Sequence, residues 1–140
     1  MIYGIGIDIV HIPKFKQTIE KWGEKLENRL FTQNELVYCK KRRFPEQHLA
    51  ARFAAKEALF KALGRAVRFS DIEVINNQDG RPYIVSKPKG LSYEKVVTQD
   101  FSLDNPQSAI RNLKTHLTLS HDDGYCIAQV ILETEKEITV

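Results

Sequence analysis

With 140 residues, 42% of them hydrophobic and 28% charged, the chain has the composition of one soluble globular domain with a modest core. Cys39 and Cys126 lie far apart, without metal-type or redox-type spacing, which excludes a disulfide scaffold or a structural zinc as the organising feature. The net charge of +3 is uneven: His11 to Arg43 holds nine Lys/Arg against four Glu, a balance that favours an acidic partner.

The first element is MIYGIGIDIV, a strand-like run with a carboxylate inside it. Period-2 alternation sends Ile5, Ile7 and Ile9 to one face, expected to be core, and Gly4, Gly6, Asp8 and Val10 to the other. The glycines are expected to leave open space beside Asp8. An unpaired buried carboxylate is unfavourable by several kcal/mol, so Asp8 needs water, a cation or a metal. The run is too short to span a bilayer, Asp8 interrupts it, and no basic segment precedes it, so no membrane segment is expected and the cytoplasm is the expected compartment.

Pro13 opens a helix whose apolar stripe is Phe15, Ile19 and Trp22, with Lys14, Lys16, Lys21 and Lys25 off that stripe; Gly23 weakens or ends it. Thr32 and Glu35 form a capping-box pattern that starts a second helix in FTQNELVYCKKRR. After Pro45, EQHLAARFAAKEALFKALG reads as a long helix stopped at Gly64. SDIEVIN and RPYIVS flank the turn NQDG as a hairpin. Between Lys87 and Thr115 the pattern suggests a short helix near Ser108 to Leu113 and a loop through LDNP. HLTLSH and GYCIAQVILETE then pair across Asp122-Asp123-Gly124, ahead of an acidic, frayed end. The expected architecture is α+β: an antiparallel sheet with helices packed on one face and a long central helix.

Two features carry candidate chemistry. In RFAAKEALFKALG, helical spacing places Phe53, Glu57, Phe60, Lys61 and Gly64 on one side. Glu57 and Lys61 alone make an ordinary i,i+4 ion pair; with Asp8, the two carboxylates suit a hard cation such as Mg²⁺ that also takes substrate phosphate. In HLTLSH, alternation puts Leu117 and Leu119 in the core and His116, Thr118 and Ser120 opposite. GIGIDI lacks the third glycine of a dinucleotide fingerprint, and KKRR lies in no recognisable nucleic-acid-binding module. Another Mg²⁺-dependent phosphoryl enzyme, or a non-catalytic basic adaptor in which residues 11–43 bind an acidic protein or RNA, remain as alternatives at this point.

GIGIDIV, RFAAKEALFKALG, DGRPYI and HLTLSH, in this order and at these separations, resemble the small 4'-phosphopantetheinyl transferases, the holo-[acyl-carrier-protein] synthase family. The resemblance runs from Met1 to about Ser86 and from His116 to about Glu133. It implies a single transferase domain over 1–140, with 87–115 as an insertion or extended connection. It also implies transfer of the phosphopantetheine arm of coenzyme A to a serine of apo acyl carrier protein, with release of 3',5'-ADP, for fatty acid biosynthesis. By that resemblance Asp8 and Glu57 hold Mg²⁺ (Mn²⁺ being possible), while Glu57, Lys61 and His116 take part in catalysis. Arg52, Lys61, Gly80, Arg81, Pro82 and His116 then contact coenzyme A, and Lys14, Lys16, Lys21 and Lys25 dock the acidic carrier. Many similar proteins carry arginine at those helix positions, where lysine keeps long-range attraction but loses fork-like pairing. The family also implies a homotrimer with active sites at subunit interfaces, and neither a nucleic-acid nor a membrane partner.

Overall fold

The computed structural model describes residues 1–86 and 113–134. β1 (Ile2–His11) leads directly into α1 (Ile12–Leu30), followed by α2 (Gln33–Lys40), α3 (Pro45–Leu63) and a 3-10 turn at Phe69–Asp71. Four strands complete it: β2 (Ile72–Asn76), β3 (Pro82–Ser86), β4 (Leu113–Asp122) and β5 (Tyr125–Thr134). The α+β class is as the sequence implies, but the strands form two antiparallel sheets: a three-stranded β1-β5-β4 sheet and the β2-β3 hairpin. The last strand thus lies in the middle of the larger sheet, aligning Asp8 with Ala128 and Ala128 with Leu119.

The faces of β1 are the reverse of the expectation. Ile5, Ile7 and Ile9 are 56%, 57% and 60% exposed, whereas Gly6 and Val10 are buried. The cause is the approach of α3. A Cβ added at Gly4 would stand 1.9 Å from the Ala62 carbonyl oxygen, and one at Gly6 would stand 1.8 Å from that of Ala58. The glycines therefore admit a helix backbone instead of leaving open space, and the buried Ala54, Ala55, Ala58 and Ala62 keep α3 slim enough to lie there.

In α1, Phe15 is buried and Ile19 half-buried, but Trp22 is 62% exposed, so the expected stripe fades along the helix. Gly23 (φ 62°, ψ −151°) is non-helical and ends the first segment as expected, so α1 is two helical segments, 12–22 and 24–30, joined at a kink. The capping box forms as expected: Glu35 N–H donates to Thr32 Oγ1 at 3.2 Å and Thr32 N–H to Glu35 Oε1 at 2.9 Å. α3 ends at Gly64 in a left-handed C-cap, and the β2-β3 and β4-β5 hairpins fall where the turn residues put them. Leu113 to Thr115 belong to β4, so His116 is its fourth residue and does not open it. The suggested helix before Leu113, the LDNP loop and the frayed end from residue 135 lie outside the described residues.

A polar network ties the helices to the hairpin. Lys56, with no exposed side-chain surface, donates to Glu35 Oε1 at 2.6 Å, Leu30 O at 2.8 Å and Phe69 O at 3.0 Å. Glu35 Oε2 accepts from Val74 N–H at 3.0 Å, and Thr32 Oγ1 donates to the buried Glu73 Oε1 at 2.7 Å. One lysine thus fixes the end of α1, the start of α2, the middle of α3 and the entry to β2.

Candidate active site

The close β1–α3 contact sets up the first half of the site. Asp8 emerges two residues after Gly6 on the same inner face, and Glu57 and Lys61 stand one turn apart on α3. Lys61 Nζ donates to Asp8 Oδ1 at 3.0 Å and to Ile7 O at 2.8 Å. Glu57 is half-buried, and its carboxyl is pushed above its ordinary pKa by burial first and the Asp8 charge second, with Lys61 opposing both. The structure therefore brings together the acids and the lysine that the sequence singled out.

The second half is a cleft of about 810 Å³ between the edge of β4, the N-terminal half of α3 and the β2-β3 hairpin. Arg52, Gly80, Arg81, Pro82 and His116 all line it, as do Tyr38, His48, Asn76 and His121, which sequence reasoning missed. Arg52 is buried, its Nη2 donating to Asn76 Oδ1 at 2.7 Å and its Nε having no hydrogen-bond partner among the described residues. The guanidiniums of Arg52 and Arg42 lie 4.4 and 4.2 Å from the Tyr38 ring centroid. Burial first, and then the positive charges of Arg52, Arg42 and His121, hold the His48 pKa below its ordinary value. No Asp or Glu lines the cleft among the described residues, so it suits an anion.

Cys126 joins the two halves. It lines the cleft, and its thiol is pushed up to about 11 by burial and then by the Asp8 charge, against a backbone hydrogen bond from Val10. His116 does not meet Asp8 within the chain. It pairs with Ile131 on the outer face, opposite Asp8, and contacts Glu133 at 2.8 Å. That hydrogen bond is the largest of the effects holding the Glu133 carboxyl below its ordinary value. Lys14, Lys16, Lys21 and Lys25 are all exposed along α1.

A helix laid across a glycine strand, an acid pair at their contact and a cationic cleft beside it define a class. Residues 4–130 match the family model of the 4'-phosphopantetheinyl transferase superfamily, and the chain belongs to it. Its relatives narrow the class to the holo-[acyl-carrier-protein] synthases. The chain is 43% identical to that of Trichlorobacter lovleyi, covering 95% of this chain and 98% of the relative. It is 41% identical to that of Geobacter sulfurreducens over the same shares, 95% and 98%. Among solved structures, the Bacillus anthracis synthase in complex with CoA (3',5'-ADP) matches with a TM-score of 0.72 at 31% identity, over 96% of this chain and 99% of that one. The Helicobacter pylori synthase in complex with coenzyme A matches with a TM-score of 0.70 at 26% identity, over 92% and 99%.

Proposed function

We propose that this chain transfers the 4'-phosphopantetheine arm of coenzyme A to a serine of apo acyl carrier protein. The serine oxygen bonds to the β-phosphorus, the bond from that phosphorus to the 3',5'-ADP oxygen breaks, and the serine proton passes to a base. The observation that carries this reading is Asp8 and Glu57 held together beside Lys61, next to a cleft whose described lining has no carboxylate.

Magnesium fits these residues, with manganese as the alternative. Two carboxylates and one lysine leave a negative excess, and the carboxylate oxygens come from two different elements, β1 and α3. No cluster of three ligating side chains occurs among the described residues, so water and substrate oxygens would complete the shell. Held by Asp8 and Glu57, such an ion would neutralise pyrophosphate charge and stabilise the leaving group. Lys61 has used two of its three donors on Ile7 and Asp8 among the described residues, and the third serves the substrate phosphate. Arg52, Arg81 and His116, with the Gly80-Arg81-Pro82 turn, hold the nucleotide half in the cleft.

Lys14, Lys16, Lys21 and Lys25 steer the acidic carrier, which makes its association strongly salt-dependent. If raising ionic strength left the carrier KM unchanged, that assignment would fail. The exposed Ile5, Ile7 and Ile9, continuous through the β1–β5 register with Ile127 and Ile131, support a homotrimer built on the outer sheet face, with His116 at its seam. Ile7→Glu is expected to give monomers in sedimentation; an unaltered trimer would place the interface elsewhere. Two free cysteines are in keeping with a reducing cytoplasm, and no described helix is long and apolar enough to cross a membrane.

The reaction is tested by intact-mass spectrometry of apo acyl carrier protein incubated with this protein, coenzyme A and Mg²⁺. A gain of one phosphopantetheine is expected, abolished by EDTA and by Glu57→Ala. No gain with folded wild-type protein and several carriers would overturn the reading.

A further inference from the structure

We propose that Glu133 is a positioning residue for His116, holding its ring so that Nδ1 is the nitrogen left for the nucleotide half of coenzyme A. The inference rests on the transferase reading above and adds a residue that is not itself part of the described cleft lining. His116 Nε2 and Glu133 Oε2 stand 2.8 Å apart. The two are diagonal neighbours on the outer face of the β4–β5 pair, where His116 faces Ile131 and Glu133 faces Lys114. A carboxylate only accepts, so the hydrogen of this bond sits on Nε2, and the second ring nitrogen is what a ligand meets.

The bland alternative is a surface acid balanced by the lysine opposite it. Against that, the His116 hydrogen bond is the first of the causes holding the Glu133 carboxyl below its ordinary value, ahead of the charges of Lys114 and the N-terminal amine. The side chains are 46% and 44% exposed, and a pair so open to water adds little to stability. Its use therefore lies in orienting a ring that lines the cleft. The cleft holds histidines of two kinds. His48 stands among the charges of Arg52 and Arg42, which with burial hold its pKa down, whereas His116 has an acid on one nitrogen. Because Glu133 is outside the described lining, it acts on the ring without putting a carboxylate into a site for an anion.

The test is calorimetric titration of coenzyme A into the full-length protein, with Mg²⁺ and without carrier, alongside transfer kinetics. It compares Glu133→Ala, Glu133→Gln, His116→Ala and the Glu133→Ala/His116→Ala double variant with wild type. Glu133→Ala is expected to weaken coenzyme A binding and raise its KM about fivefold, while the carrier KM and urea unfolding stay at wild-type values. Glu133→Gln should recover most of the loss, because its amide oxygen accepts the same hydrogen bond. Adding Glu133→Ala to His116→Ala should change nothing further, as expected of a residue that acts only through the ring. The inference is overturned if Glu133→Ala binds coenzyme A as wild type does, or if its effect persists in the His116→Ala background. It is also overturned if Glu133→Ala sediments differently from wild type, which would assign the acid to contact between copies. Each of these failures leaves carrier modification by wild type intact; if wild type modifies no carrier, the transferase reading itself has failed.

Discussion

Lys56 and Lys61 stand five residues apart on α3, and each faces a carboxylate. Lys56 meets Glu35 at 2.6 Å with both side chains at 0% exposure, and its three donors are met by three acceptors. Lys61 meets Asp8 at 3.0 Å, with the lysine 54% and the acid 16% exposed. The first pair is closed on every side and touches nothing outside the fold. The second keeps open donor and acceptor positions, and its acid has a second carboxylate as neighbour. One helix thus carries a structural ion pair and a chemical one, and satisfied valence separates them better than distance does. Burial penalises a charge whose partners can be lost, whereas an open pair gives up little stability and keeps its charges for a ligand.

The largest expected effects cross these two pairs. Asp8→Asn should lower the transfer rate about a thousandfold, the scale of removing electrostatic stabilisation at developing charge, and should leave urea unfolding almost unchanged. Lys56→Ala should do the reverse in kind. It strands Glu35 in the interior and should reduce stability by about 3–5 kcal/mol, while Lys56→Met with Glu35→Gln regains part of the loss. Lys61→Ala should reduce stability by less than about 1 kcal/mol and still slow transfer. Unfolding and rate measurements on all of these variants check the division. Equal destabilisation by Lys56→Ala and Lys61→Ala would erase it.

A smaller effect comes from the contact that lets Asp8 approach α3. Gly6→Ala places a methyl 1.8 Å from the Ala58 carbonyl oxygen, which is backbone and cannot swing away. The helix must shift, with an expected loss of about 1–3 kcal/mol. Because Glu57 rides on that helix and Asp8 on the strand, the rate should fall by more than the stability change explains. Full activity in Gly6→Ala would show that the two elements need no such closeness.

The legibility of the sequence divides along similar lines. Thr32 with Glu35, Gly64 and the NQDG turn were readable because each sets backbone geometry within a few residues of itself. Asp8, Glu57 and Lys61 were readable because charges stood in apolar runs. The orientation of β1 was not. Alternation shows that two faces differ, and hydrophobicity favoured the isoleucines for the core, but the glycines were the signal, since only they admit a backbone at van der Waals distance. Lys56 follows Leu49 and Arg52 and precedes Leu59 and Leu63 on one buried helical stripe, a pattern that marks it as interior once charge is set aside. His48 and His121 reach the cleft only through tertiary packing, and no local pattern announces them.

The smallest effect concerns the sign of a charge. The Glu57 carboxyl is raised from 4.5, so the folded chain binds its proton more tightly than the unfolded chain does. Through that window, from the ordinary value up to the raised one, stability falls as pH rises, and the loss is complete above it. Glu133 has the opposite sign, because the hydrogen bond from His116 holds its carboxyl below 4.5. Glu57→Gln should therefore be slightly more stable than wild type near neutral pH and should lose that advantage in acid below the ordinary range. Thermal melts of both proteins across that range check it. A Glu57→Gln variant less stable than wild type at neutral pH would mean that Lys61 outweighs burial and Asp8, and the second pair would then be as structural as the first.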